Sequence, residues 1–575
     1  MGVHPEPCHR FPDLRSQWMF VGAGRQSELG QKSCPARDTY YTSLVMGEPE
    51  CRSLDEESSG EKTVQQDDSQ YPSAKKVIPI MVALYLVVFL IALDRTIIAT
   101  AIPRITDQFH SIQDIGWYGS SYLLTGCSFM LLFGKFYSLY SPKWVYLTAI
   151  VIFEIGSAVC GAAPNSTAFI VGRAIAGLGS AGAFSGTVII IVHTVPLRKR
   201  PAYTGLMGGM FGIASVAGPL LGGVFTDRVS WRWCFYINLP IGAVTLVIVT
   251  FLLRINIPRK SIEGLSLYEQ FLKLDPLGTL CFMPSVICLL LALQWGGTTY
   301  PWSDGRIIGL FVVFGILLIA FIAIQIWRKE EATVPPRIFV QRSVLSAFWF
   351  TICLGSSMMT IIYYLPLWFQ AIKGVSAVKS GIMNLPMILS LVIGVILSGG
   401  LVTAIGYYAP FMIACCILSS VGAGLLTTFM PDTGHAKWIG YQVIYGIGLG
   451  LGMQQGSVAC QTVLSKADVP VGSSLIFFAQ QLGGTVFIAV AQNIFTNKLT
   501  SGLRHIPGLD PAKLAQVGAT TIHDLVKDPD TLRSVLEVYN HAVVNTYYIA
   551  VGMSCAAFLG ALTIEWKSVK GKEKS

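Results

Sequence analysis

The chain is 575 residues long, with 53% hydrophobic and only 13% charged residues and a mean hydropathy of +0.58. An average soluble domain carries about 25% charged residues, so this chain folded in water would expose apolar patches of a size that soluble monomers avoid. The formal net charge of +9 is spread along the chain in short loops, which excludes a nucleic-acid surface and leaves a lipid bilayer as the partner.

Residues 1–72 are polar, lack apolar periodicity and mix charges (Asp55, Glu56, Glu57, Lys62), which reads as a disordered cytosolic tail. From Val77 onward there are about fourteen apolar stretches, each near the roughly 20 residues a membrane helix needs. Their centres lie near Val87, Leu124, Ile152, Ala181, Ile213, Val244, Ile287, Val313, Leu354, Leu391, Ile417, Gly450, Val486 and Gly552. Only helices and closed barrels cross lipid, and runs this long exclude barrel strands. The expected class is all-α transmembrane. Its divisions are a six-helix half over 73–255, a linker with two extra helices over 256–342, a second six-helix half over 343–565 and a cytosolic tail over 566–575.

An even number of spans puts both termini on one side. The flanking Lys and Arg fall mainly in the loops of that side (Lys135, Lys143, Arg198, Lys199, Arg200, Arg328, Lys329), so both termini are expected in the cytosol. Gly177-Leu178-Gly179 in span 4 recurs as Gly448-Leu449-Gly450 in span 12, a weak internal repeat. Repeated six-span halves point to a secondary transporter with its site between them.

Charges inside the spans are few: Asp94 and Arg95 in span 1, Glu154 in span 3 and Arg173 in span 4. A charge at mid-bilayer costs about 2.5–3.5 kcal/mol on insertion scales, and such residues normally face the bundle interior and pair. Two readings stand for Asp94, Glu154 and Arg173: proton coupling, or a structural Glu–Arg or Asp–Arg pair joining spans 1, 3 and 4. Span 5 carries Gly205, Gly209, Gly212, Ala214, Gly218, Pro219, Gly222 and Gly223, with small residues at four-residue spacing along one face. Such a face admits close helix approach, and Pro219 removes a helical hydrogen bond; the result is either a gate or static packing.

These residues carry a resemblance. The run Leu93-Asp94-Arg95-Thr96-Ile97-Ile98-Ala99-Thr100-Ala101-Ile102-Pro103 is similar to the helix 1 motif of the fourteen-span drug:proton antiporters of the major facilitator superfamily. Arg173 followed by Gly177-Leu178-Gly179 resembles that superfamily's helix 4 motif, in which the Arg is linked to proton transfer. Gly205, Gly218-Pro219 and Gly222-Gly223 resemble the antiporter motif of helix 5. Trp231-Arg232-Trp233-Cys234-Phe235-Tyr236-Ile237-Asn238-Leu239-Pro240 and Leu293-Gln294-Trp295-Gly296-Gly297 are similar to stretches of fungal toxin-efflux members. The resemblance implies the major facilitator fold, a proton gradient as energy source with no cofactor, and export of drugs, toxins or a fungal secondary metabolite by a monomer. The plasma membrane is the first expectation and the vacuolar membrane the second. The superfamily's usual loop after helix 2 has Asp where Ser138 stands and Arg where Leu139 stands, so the charge latch it implies lacks those members here. Ala214 also stands where Gly is usual.

The thirteen cysteines include no C-x-x-C and read as small apolar residues. Gly177-Leu178-Gly179-Ser180-Ala181-Gly182 matches the dinucleotide fingerprint but lies within a span, without the strand or the acidic residue that motif needs. No metal site or enzymatic constellation is expected. A substrate pocket is expected from Tyr363, Tyr364, Trp368 and Gln370 in span 9, Gln454 and Gln455 in span 12, and Phe477, Phe478 and Gln481 in span 13. An aromatic cavity with a few amides suits bulky, weakly polar molecules, and ordinary packing is the other reading. Asn165-Ser166-Thr167 is a glycosylation sequon expected to lie too near the bilayer for use. Two other functions fit less well. Vacuolar uptake of basic amino acids predicts acids lining the second half, where none is evident, and a non-transporting receptor predicts a long cytosolic tail.

Overall fold

The computed structural model describes residues 72, 74–111, 114–254, 264–297, 299–506 and 528–570. The tail expected over 1–72 lies outside them apart from Pro72, as does the end of the C-terminal tail, 571–575. Apolar composition writes the rest as helices: α1 (Ala74–Phe109), α2 (Ile115–Leu139), α3 (Pro142–Ala162), α4 (Ser166–Thr194), α5 (Arg200–Arg228) and α6 (Asn238–Leu252). The linker supplies α7 (Pro276–Trp295) and α8 (Gly305–Arg328). The second half contains α9 (Arg342–Lys373), α10 (Leu385–Ile405), α11 (Ala409–Leu426), α12 (His435–Gly452, continued by Gln455–Val463), α13 (Val469–Leu503) and α14 (Pro529–Thr563).

Thirteen of the described helices are long and apolar enough to cross a membrane. The one that falls short is α12, expected as the span near Gly450. Lys437 and Gln442 dilute its apolarity, and the helix breaks at Met453–Gln454. Packing between α10 and α11 lets it carry polar residues, Gln442 being fully buried. The reverse holds for α8, the most apolar of the spans and the least covered by protein, whose bare apolar surface is the face that lipid would meet.

Helix starts follow local chemistry. The side chains of Asn165, Asp275, Asp304 and Asp528 accept backbone N–H groups at the starts of α4, α7, α8 and α14, at 2.9, 3.0, 2.8 and 3.0 Å. These caps satisfy donors that would otherwise be orphaned. Asn165, noted above as a sequon, thus has a structural role. Ser138 and Leu139, placed above in the loop after helix 2, are still helix, since α2 runs on to Leu139.

The two halves repeat one packing scheme. In the first, α3 packs on α4, α2 on α4 and α1 on α5; in the second, α11 packs on α12, α10 on α12 and α9 on α13. The repeat is two residues out of the register expected from the Gly-Leu-Gly triplets. Gly179 meets Phe153 of α3, and its structural counterpart is Gly448, which meets Ser419 of α11. Gly177 meets Tyr122 of α2, as Gly446 meets Met387 and Ser390 of α10. The triplets look alike because glycine is required wherever these backbones touch, not because they align. Across the seam between halves, α5 packs on α10 and α2 on α13, while α7 lies against α2 and α13.

At the seam end that holds the α2–α3 turn, the extra helices form a clasp. Lys135, 5% exposed, donates to the carbonyls of Glu331 and Ala332 at 2.9 and 2.8 Å. Ser138, standing where the superfamily has Asp, only donates back to Lys135 O at 2.8 Å. Buried Asp275 accepts from Gly278 N, Gln325 Nε2, Thr333 N and Thr333 Oγ1 at 2.9–3.0 Å. Arg337 then forks onto Asp468, just before α13, at 2.7 and 2.9 Å. Asp275→Ala should therefore be strongly destabilising, because it orphans several buried donors at about 1–3 kcal/mol each before relaxation. It also places Ala at φ +54, a conformation Asn tolerates better. Asp275→Asn should melt between Asp275→Ala and the parent in detergent, and equal melting of the two variants would contradict this.

Three carboxylates at this end are held below their ordinary range. For Asp275, burial pushes up, but the bonds from Gln325, Gly278 and Thr333 outweigh it. For Asp468, burial is again outweighed, by Arg337 and Ser465, while Glu565 is lowered by Lys567 and Ser343. A depressed folded-state value gives stability that is complete above the ordinary carboxyl range and lost as pH falls through the folded value. The melting advantage of the parent over Asp275→Asn should thus hold from about pH 8 to 6 and shrink below about pH 4. An advantage that persists unchanged into acid would refute the linkage.

Candidate functional site

The site begins on α1, where Asp94 is fully buried and Arg173 of α4 is 1% exposed. Arg173 Nη1 donates to Asp94 Oδ2 at 2.6 Å, and its Nε donates to the carbonyl of Tyr118 on α2 at 3.0 Å. The guanidinium lies over the Tyr122 ring, 4.5 Å from its centre. One arginine thus ties three helices. Gly177 allows this, since it lets α4 lie directly against Tyr122 O. Of the two pairs considered from sequence, the Asp–Arg pair is the one formed. Removing one partner of such a buried pair typically costs about 3–5 kcal/mol, because the other is left uncompensated. Asp94 Oδ1 has no hydrogen-bond partner.

Glu154 is placed apart from Arg173. It is 8% exposed on α3 and abuts Gly242 of α6, where any Cβ would collide with Oε1. Neither Glu154 oxygen has a partner. One turn on, Ser157 Oγ accepts from Asn238 Nδ2 at 3.0 Å, while Asn238 Oδ1 is unpartnered. Glu154 therefore belongs to a second polar pocket between α3 and α6, short of donors.

The small residues of α5 serve two neighbours. Gly205, Gly209 and Gly212 face Val392, Val395 and Ile396 of α10 across the seam. Gly218 and Gly222 face Thr96, Ile97 and Thr100 of α1 within the same half, and Thr96 Oγ1 bonds Ala214 O at 3.1 Å. Pro219 lies inside the helix and half-buried. Gly223 meets nothing within 4 Å and lies off the packed face.

The expected pocket divides. Trp368 is a core residue of the second half, fully buried, with Nε1 donating to Asn540 at 2.7 Å and its ring 4.6 Å from Phe429. Tyr364 is also fully buried and donates to Gln492 at 3.0 Å, while Gln370 bonds back to Pro366 O at 3.3 Å. Their donors are thus met by residues of the second half itself. Tyr363, beside them, is 55% exposed. Phe478 packs on Phe282 of α7 with centroids 5.2 Å apart, and Gln455 is buried with Oε1 unpartnered. The seam receives three others. Phe477 meets Phe184 of α4 at 4.8 Å, Gln454 lies against Gly208 of α5, and Gln481 Oε1 accepts from Arg95 Nη1 at 3.4 Å. Arg95 was visible in the sequence as an intramembrane charge, yet its reach across the seam was not, because spacing along α1 says nothing about α13. Among the described residues no cluster of side chains is suited to a metal ion.

Comparison with known proteins agrees with this architecture. The family model described as Major Facilitator Superfamily matches residues 84–488. The MFS-type efflux pump MFS1 of Trichophyton rubrum is 57% identical over 500 residues, covering 87% of this chain and 93% of that protein. The efflux pump aflT of Aspergillus parasiticus is 53% identical over 505 residues, covering 87% and 98%. In fold, the human organic anion transporter MFSD10 matches with a TM-score of 0.53 at 13% identity, covering 82% of this chain and 99% of that one. A double-tryptophan mutant of XylE gives 0.55 at 13% identity, covering 87% and 97%. The fungal relatives are transporters, not enzymes.

Proposed function

The chain belongs to the major facilitator superfamily, and we propose that it works as a proton-coupled antiporter exporting small amphipathic molecules, such as drugs, toxins or a fungal secondary metabolite. The observation that carries this reading is the buried Asp94–Arg173 pair at 2.6 Å, with Asp94 Oδ1 left open. A proton arriving at that oxygen neutralises Asp94 without displacing Arg173. It weakens the hold of α1 on α4 and biases the rocking of one half against the other. Each proton moved inward carries about 2.3 kcal/mol per 100 mV of membrane potential, enough to sustain a substantial substrate gradient. Glu154 is a second acceptor, since an ionised carboxylate without donors is costly and a bound proton removes that cost.

The efflux pumps named among the fungal relatives support the outward direction. Gly205 and Gly212 line the gate between α5 and α10, and Gln454, Phe477 and Gln481 belong to the binding surface between halves. Both termini lie in the cytosol, the plasma membrane is the site of action, and the monomer is the working unit. The test is flux of a toxin panel from purified protein in proteoliposomes under an imposed pH gradient. Accumulation that follows the gradient is the expected result, and binding with no gradient-dependent flux would refute coupling.

A further inference from the structure

We infer that Arg95 and Gln481 form a substrate subsite that selects flat aromatic molecules bearing an anionic group, such as a carboxylate or phenolate, over cationic ones. The inference rests on the export reading and names its substrate class. Asp94, the neighbouring carboxylate, is committed to Arg173. Among the described residues no carboxylate forms an ion pair with the Arg95 guanidinium. The Asp94–Arg173 pair cancels its own charge, so Arg95 leaves this part of the seam positive.

The unsatisfied groups are donors. Arg95 Nε is buried with no partner, as is Gln481 Nε2. The contact between them, Nη1 to Oε1 at 3.4 Å, is long beside the roughly 2.7–2.9 Å of a charge-assisted bond, which leaves the guanidinium free to turn to a better acceptor. Donors aimed into the interface of two halves, without acceptors to meet them, call for a ligand that brings acceptors and negative charge. The surroundings set its shape. The Tyr122 ring lies 5.4 Å from the Arg95 guanidinium. Phe477 stands one turn before Gln481 on the same face of α13, with Phe184 and then Phe211 stacked edge-on behind it. A planar ring system fits against these aromatics with its acidic group at Arg95.

Fluorescein and rhodamine 6G share the xanthene ring and carry opposite charge, so they separate charge selection from ring recognition. Their binding to the full chain in lipid nanodiscs, read by fluorescence anisotropy without a pH gradient, should favour fluorescein by at least about tenfold, the scale of one charged hydrogen bond. Arg95→Gln should remove about tenfold from fluorescein and leave rhodamine 6G within about twofold, with Arg95→Lys intermediate. If Arg95→Gln does not fold, Gln481→Leu should still weaken fluorescein by about threefold relative to rhodamine 6G. Equal or stronger binding of rhodamine 6G, binding of neither dye, or equal weakening of both by Arg95→Gln would overturn the subsite. Gradient-driven flux is read separately in proteoliposomes. Anion preference without such flux would overturn the export reading and leave the subsite standing.

Discussion

The Asp94→Asn variant is expected to reach the membrane folded and to show no export above the rate seen without a pH gradient. Asn keeps the shape of Asp and can still accept from Arg173 Nη1, while Arg173 Nε keeps its bond to Tyr118 O and the guanidinium stays over the Tyr122 ring. The helices therefore stay tied, although the Arg173 charge loses its counter-charge and the protein some stability with it. What the variant cannot do is change charge with pH. Arg173 then meets one fixed neutral partner in every conformation, and the gradient has nothing at this point to act upon. Flux in proteoliposomes, with and without the gradient, is the measurement, and surface expression and monodispersity control for folding. Asp94→Glu, which keeps a titrating group, should recover part of the coupled flux. Coupled export retained in Asp94→Asn would remove Asp94 from the mechanism and leave Glu154 as the acceptor to test.

The prominence of that pair in the sequence has a physical origin. In a chain with so few intramembrane charges, lipid requires each one to be paired or functional, so Asp94 and Arg173 stand out from the sequence alone. Helix count and class were legible for the same reason, because apolar length is a one-dimensional property. Pairing is not. Glu154 looked as eligible for Arg173 as Asp94 did, and only the packing of α3 on α6 sends it to Gly242 instead. Trp368 and Tyr364 looked like pocket residues because aromatic and amide composition cannot tell a cavity wall from a satisfied core; Asn540 and Gln492, which use up their donors, are more than 120 positions away. The clasp was invisible for a further reason. Lys135 binds backbone carbonyls, which every residue has, so no partner type in the sequence could announce it.

Substitutions along α5 should separate into three outcomes, because its glycines meet three different surroundings. Gly218→Val sets a branched side chain against Thr96 and Ile97, one to three residues beyond Asp94 and Arg95. Overpacking of this kind costs about 1–3 kcal/mol, and here the strain pushes α1 away from α5 and shifts Asp94 relative to Arg173. Both a lower melting temperature and weakened proton coupling are expected. Gly212→Val meets Val392 of α10, on the other half. Each half can stay folded while the two are held apart, so this variant should melt near the parent but fail to close the seam between α5 and α10. Closure can be read from crosslinking of a cysteine pair placed across those helices, and export should fall with it. Gly223→Ala projects into open space and should change neither property. The contrast between Gly212 and Gly218 decides whether one stripe of small residues performs two tasks. If both variants lose stability to the same extent and crosslinking is unaffected in each, the stripe is a packing surface only, and the gate must lie elsewhere along the seam.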